Sequence, residues 1–398
     1  MRIAISGAGV AGPTLAYWLR RGGHEPFIVE RAPQLRTGGY VIDFWGLGYD
    51  IAERMGIVET VLAKGYRVSE VRIVGDDGHR KSGFPVDALA GLTDGRFTSL
   101  PRGDLASAIF STIRDEVEVI FGTTITALED RGDAVTIALA NGEMRTVDLV
   151  IGADGLHSNV RSLAFGPEAG FERDLGYAVA AFNIPGYAPR DEDVYVMRAW
   201  PGRSISRFAL RDGSSLVLMV MAAEAMGGAI PADTVGKRAM LRQVYADMGW
   251  ETSGILAAMD AQEDIYFDRV SQIELPHWTS GRVALVGDAA ACASLLAGEG
   301  TGLGMTEAYV LAAALAGHDD YRRAFADYEA RLRPFLADKQ KSAREFAGAF
   351  APKTRLGLAV RDMAARMLAL PGAAQLLVGG NISDDFELPD FPAGSSSR

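Results

Sequence analysis

Gly7, Gly9 and Gly12 recur at the spacing Gly-x-Gly-x-x-Gly, and a carboxylate, Glu30, follows about twenty residues later. That pattern suits a dinucleotide. The first glycine permits a tight turn, the second lets a pyrophosphate approach the backbone, and the third lets helix and strand pack closely. Phosphates on the turn would meet the unpaired N–H groups and the positive end of the helix that follows. A carboxylate at Glu30 would accept the hydroxyls of an adenosine ribose and repel a 2′-phosphate, so the pocket suits FAD or NAD and disfavours NADP. Two further carboxylates close apolar runs: Asp154 within Gly152-Ala153-Asp154-Gly155, and Asp288 directly after Gly287, with a glycine-rich stretch at 298–304 behind it. Such strand tips form the ligand side of a doubly wound sheet. A simple helix N-cap is the alternative for Asp154. No second Gly-x-Gly-x-x-Gly unit appears, which points to one permanently bound dinucleotide.

These groups need strands and helices to hold them. Residues 2–6 read as a buried strand, 13–21 as a helix and 26–29 as the second strand. A helix is expected over 46–55, with Leu47, Ile51 and Met55 on one face. Before it, Gly38 and Gly39 beside a short apolar run ending at Asp43 fit either a hairpin bend or close approach to something planar. Arg102 stands at the mouth of a helix over 105–113, as a surface cation or aimed at phosphate or a ribityl chain. Strands are expected at 117–121, 124–128, 134–139 and 144–151, the last apolar enough to be buried on both faces. Residues 67–100 and 174–223 carry a two-residue rhythm that suggests excursions into a second sheet. Phe182, Trp200, Phe208, Met219 and Met221 there either fill a sheet face or line an apolar small-molecule pocket. A strand at 282–286, a long helix from near Met305, and helices at 321–346 and 355–370 complete the pattern. The last has Leu356, Val360, Met363 and Met367 at helical spacing, expected to pack against the dinucleotide lobe.

Composition narrows the classes. A chain of 398 residues exceeds the usual single core, so two lobes are expected. The net charge of −11 argues against a nucleic-acid partner. No run of about twenty apolar residues suggests stable membrane association, and with the first strand at the N-terminus the default location is the cytoplasm. One cysteine, Cys292, excludes an internal disulfide and a Cys-x-x-Cys redox pair, and reads as a small buried hydrophobe rather than a flavin attachment point. The five histidines never fall four apart, so no metal is expected.

Taken together, Gly7 to Gly12 with Glu30, the Gly152-Ala153-Asp154-Gly155 loop, and Gly287-Asp288 with its glycine-rich follower resemble the para-hydroxybenzoate hydroxylase family of FAD-dependent monooxygenases. The resemblance runs from residue 1 to near 346. Arg102-Gly103-Asp104-Leu105 and the placing of Asp43 are similar to the tetracycline-inactivating branch. It implies an α/β fold: a Rossmann-like FAD-binding domain (1–66, 101–173, 273–320), an inserted β-sheet substrate domain (67–100, 174–272), and C-terminal helices and tail (321–398). By the same resemblance Glu30 would hold the adenosine ribose, with Arg31 near the adenine, and Arg102 and Asp288 would hold the ribityl and pyrophosphate part. Asp154 would belong to a loop serving FAD and transient NADPH or NADH. Gly298, Gly300, Thr301 and Gly302 would lie against the isoalloxazine edge, with Gly39 to Asp43 on its other side. The implied reaction is hydroxylation of an aromatic or polyketide-like molecule with O2 through a flavin hydroperoxide, by a monomer or homodimer. No catalytic acid or base is assigned. Where the family commonly has histidine, proline and asparagine, this chain has Ala291, Leu295 and Gly302. Those departures keep a flavin dehydrogenase or reductase, and a non-catalytic flavin-bound ligand-binding protein, as alternatives.

Overall fold

Ile3, Ala4 and Ile5 have no solvent exposure, because their strand has a parallel neighbour on either side and lies between the helix Ala11–Arg21 and a small antiparallel sheet in one apolar core. The computed structural model describes all residues except 36–39, 88–92, 94, 188–190, 263–264, 371, 374–383 and 393–398. Around Arg2–Ser6 a six-stranded sheet runs in the order Thr279–Ser280, Val283–Leu285, Leu149–Gly152, Arg2–Ser6, Glu25–Glu30, Glu118–Phe121. All its pairings are parallel save the outermost one of Thr279–Ser280. The helix Ala11–Arg21 lies against the long apolar helix Gly300–Gly317, which in turn packs on Tyr321–Phe346.

A seven-stranded sheet forms the second lobe, in the order Tyr266–Ile273, Glu172–Ile184, Ser215–Ala222, Arg203–Ala209, Val194–Trp200, Glu70–Val74, Arg80–Pro85. One face packs Ala178, Ala180, Phe182, Met219 and Met221 against the helices Thr234–Tyr245 and Thr252–Ala258. Tyr177, Val179, Val220 and Val270 point the opposite way, toward Leu296 and Ala351. The mixed fold is the expected α/β class.

Three expectations are corrected. The strand read at 144–151 is two, Met144–Val147 in a three-stranded antiparallel sheet and Leu149–Gly152 in the six-stranded one. Asp148 stands at the break, where its carboxylate accepts from Arg2 N at 2.6 Å. The long helix starts at Gly300 rather than near Met305. Its early glycines are used for close approach: a Cβ added at Gly48 would come within 2.6 Å of Gly302 Cα, and Gly304 faces Gly287. The Arg355–Leu368 helix lies on the seven-stranded sheet, where Arg366 donates to Lys81 O at 2.9 Å, and not on the dinucleotide lobe. Leu356, Val360 and Met363 remain 74%, 60% and 62% exposed, so the apolar spacing describes a face without a packing partner among the described residues. Residues 384–392 strap the first lobe: Asp384 accepts from Leu47 N, Pro389 O accepts from Tyr309 Oη, and Phe391 packs on Trp18. No helix of the described residues is long and apolar enough to cross a membrane.

Candidate active site

The glycine turn has the three properties its spacing predicts. Gly7 has φ +107°, and a Cβ there would lie 2.5 Å from Ala153 O, so the tips of two strands touch through it. A Cβ at Gly12 would sit 2.0 Å from Gly7 O, where no side chain fits. Gly9 has open space around it apart from the Arg102 guanidinium, 3.6 Å from where a Cβ would be. The Ala11–Arg21 helix has no side-chain cap and no acid in its first turn, and among the described residues Arg102 has no ion-pair partner. Free amides and an unneutralised cation thus converge on one turn, the donor set a pyrophosphate requires.

Each strand-tip carboxylate is held differently. Glu30 accepts from Ala8 N and Ala32 N, both at 2.7 Å, which ties the end of its strand to the glycine turn. Asp154 accepts from Ser6 Oγ at 3.2 Å, Ser158 Oγ at 2.5 Å, Asn159 N at 3.0 Å and Val160 N at 3.1 Å. Burial raises its pKa while these donors oppose the rise. All four donors come from the protein itself, two of them the first amides of the helix Asn159–Ala164, whose N-cap is Ser158 and not Asp154. Asp288 keeps accessible surface although it lies deep. Burial raises its pKa, with Arg102 and the Cys292 thiol acting in the other direction. Cys292 is a buried thiol 3.7 Å from Ser271 O, as the hydrophobe reading expects.

Further contacts bring the tips into one cleft. A Cβ at Gly287 would be 3.3 Å from Ala11 Cβ, and one at Gly300 would be 3.6 Å from Asp288 Oδ1. Tyr266, on the outermost strand of the other sheet, lies 6.1 Å ring to ring from Tyr40. It keeps 40% exposure even though desolvation, Tyr40, Asp268 and Asp288 all raise its pKa. An accessible side chain in such surroundings faces an internal cleft. Asp43 is in the same position: accessible, with its pKa raised by burial, and hydrogen-bonded to Ser99 Oγ at 2.5 Å. Opposite, Tyr195 Oη lies 2.6 Å from Ser206 Oγ, and burial lifts its pKa to about 12 with a contribution from Asp43.

Among the remaining expected site residues, Arg31 is exposed beside Glu30. Gly298 has φ +74° and approaches the Trp45 ring, while Thr301 and Gly302 form the first turn of Gly300–Gly317. Gly302 shares a small cavity with Asp43, Trp45 and Glu299. Gly39 lies outside the described residues. The pocket expectation for the second sheet is corrected: Phe182, Met219 and Met221 are buried on the face turned away from the cleft, and Trp200 packs on that same cluster. Phe208 is fully buried, edge-on to Tyr66 at 5.2 Å. A slip of one residue exchanges strand faces, and here both faces are apolar, so the alternating pattern could not assign them. Sequence reading also missed His157, which bridges Glu168 at 2.8 Å and Asp268 at 2.9 Å, and Glu307, a lone carboxylate inside an apolar helix. That isolation was the available signal. No cluster that could hold a metal occurs among the described residues.

This geometry, a dinucleotide turn beside an inserted sheet, defines an FAD-binding α/β protein of the para-hydroxybenzoate hydroxylase class. The FAD binding domain family matches residues 1–335, and the chain belongs to it. It is 36% identical over 346 residues to an uncharacterised protein of Mycobacterium tuberculosis, covering 85% of this chain and 91% of that one. A flavin-dependent monooxygenase of Legionella longbeachae is 33% identical over 354 residues, covering 86% and 87%. The crystal structure of tetracycline destructase Tet(51) superposes with a TM-score of 0.84 at 30% identity, over 98% of this chain and 99% of that one. The protein is an FAD-dependent monooxygenase acting on small molecules.

Proposed function

We propose that this monooxygenase takes reducing equivalents from NADPH or NADH and places one oxygen atom of O2 on an aromatic or polyketide-like substrate. Bound FAD supplies the redox and oxygen chemistry, and the chain supplies position and a cleft shielded from water. The observation that carries this reading is the convergence of Gly7, Ala153 and Gly287, three strand tips distant in sequence, beside the Arg102 guanidinium. Glu30 would hold the adenosine ribose with Arg31 near the adenine, and Arg102 and Asp288 the pyrophosphate and ribityl chain. Gly298 to Gly302 would lie on one side of the ring system and Asp43 on the other. Segments 1–66, 101–173 and 273–320 would form the FAD-binding part, and 67–100 with 174–272 the substrate part. Substrate would meet the face bearing Tyr195 and Ser206 opposite Asp43. The name of the Tet(51) neighbour supports a polycyclic, oxygen-rich molecule as the first compound to assay.

The purified protein should be yellow, and a substrate should stimulate NADPH oxidation with label from O2 entering the product. Product that carries no label would overturn the reading. Arg102→Ala should weaken FAD binding about tenfold or more, the worth of a charge-assisted contact, with folding intact. Flavin fluorescence titration measures it.

A further inference from the structure

Glu307 sits in the middle of the Gly300–Gly317 helix with 1% exposure, two turns below the glycines that face the cleft. Its Oε2 accepts from Gly287 N at 2.8 Å. Gly287 has φ +64° and ψ −145°, a conformation that favours glycine, and it immediately precedes Asp288. The amide clamped by Glu307 thus belongs to the turn that aims Asp288. Tyr328 stands on the other side of the carboxyl, with its Oη 3.0 Å from Leu285 O and 3.4 Å from Glu307 Oε2. A phenol has one hydrogen to donate, and the shorter contact to a carbonyl takes it. Gly287 N is then the one full donor to the carboxyl, too little to hold a buried charge that no cation offsets. The titratable groups facing Glu307 are Asp288 and Cys292 from the short helix after the turn and Tyr328 from Tyr321–Phe346. No cation among the described residues offsets a charge there. Burial and the nearby Asp288 both raise the Glu307 pKa, well above the ordinary carboxylate range, against the opposing pull of the Gly287 amide and Tyr328.

We propose that Glu307, in its uncharged form, is the positioning residue of the cofactor site: it locks the Gly287–Asp288 turn to the helix whose N-terminus carries Gly300 to Gly302. This rests on the FAD reading and adds a residue and a protonation state to it. Ionisation of Glu307 buries an unpaired charge beside Asp288, loosens the turn and releases the cofactor.

Wild type, Glu307→Gln and Glu307→Leu, each reconstituted with FAD, would be titrated by flavin fluorescence from neutral to alkaline pH. Glutamine offers Gly287 N the same acceptor oxygen and cannot ionise, so E307Q should match wild type at neutral pH and hold FAD at alkaline pH, where wild type loses about tenfold or more in affinity. E307L should lose at least as much at every pH. The proposal fails if E307Q binds as weakly as E307L, or if wild type and E307Q share one pH profile. The second comparison decides even where E307L does not fold. Wild type that takes up no FAD at any pH would instead overturn the FAD reading.

Discussion

The two sheets expose their chemistry in different ways. In the six-stranded sheet the decisive atoms are backbone: Gly12 exists because a Cβ would lie 2.0 Å from Gly7 O, and Glu30 is fixed by two main-chain amides. In the seven-stranded sheet local positions such as Gly83, where a Cβ would lie 2.2 Å from Val71 O, make a similar demand, but for the site what matters is which side chains face the cleft. Steric demands on a backbone leave few residue types possible, whereas a sheet face accepts any apolar residue of suitable volume. A site built from turns is therefore written in the sequence more sharply than one built on a sheet surface.

Three substitutions break or sharpen that contrast. The largest effect belongs to Phe182→Ala on the sheet side. Phe182 is 5% exposed in the cluster with Met219 and Met221, so the change should cost about 3 to 5 kcal/mol of stability through a cavity. Substrate KM should stay unchanged in the protein that folds. A raised KM with no loss of denaturant midpoint would put Phe182 back in the pocket. Next comes Gly12→Ala on the turn side, expected to cost about 3 kcal/mol from the clash with Gly7 O and to abolish FAD retention together with it. Chemical denaturation with and without FAD reads both, and a variant that keeps its flavin would show that the turn yields more easily than its geometry indicates.

The smallest effect lies at the joint between the lobes. His157 hydrogen-bonds Asp268 on the seven-stranded sheet and Glu168 on the first lobe, and these partners raise its pKa to about 9 against desolvation. Because the folded pKa lies above the ordinary value of about 6.5, its stabilisation is complete below pH 6.5 and is lost as pH rises through about 9. Its side chain is 54% exposed, and solvent screening limits the contribution to about 1 kcal/mol. Wild type should lose that increment in thermal midpoint between neutral and alkaline pH while His157→Gln does not. Parallel curves would remove His157 from the joint.

Much of the first lobe was legible because its demands are local. The strand at 2–6, the turn, the following helix and Glu30 lie within thirty residues, and each residue type there answers a need of the nearby backbone. The later strand tips were legible as an apolar run closed by an acid. Legibility ended where a group acts through distant partners. Asp154 looked like a ligand for the cofactor, and the fold gives its carboxylate four donors, one of them Ser6 Oγ. Glu307 looked like an interruption in an apolar helix until the fold placed Gly287 N against it. The 355–370 spacing marked an apolar helix face correctly, and the fold left that face exposed on the second lobe.

The sequence by itself determined the tight glycine turn at residues 7–12 between a strand and a helix, because glycine spacing and the helix that follows are short-range properties of the chain. Only the tertiary structure decided which face of the second sheet meets the cleft, what Asp154 and Glu307 hold, and that the tips at Ser6, Gly152 and Leu285 stand side by side. Those outcomes depend on contacts between residues far apart in the chain, and several arrangements of such contacts satisfy the same local pattern.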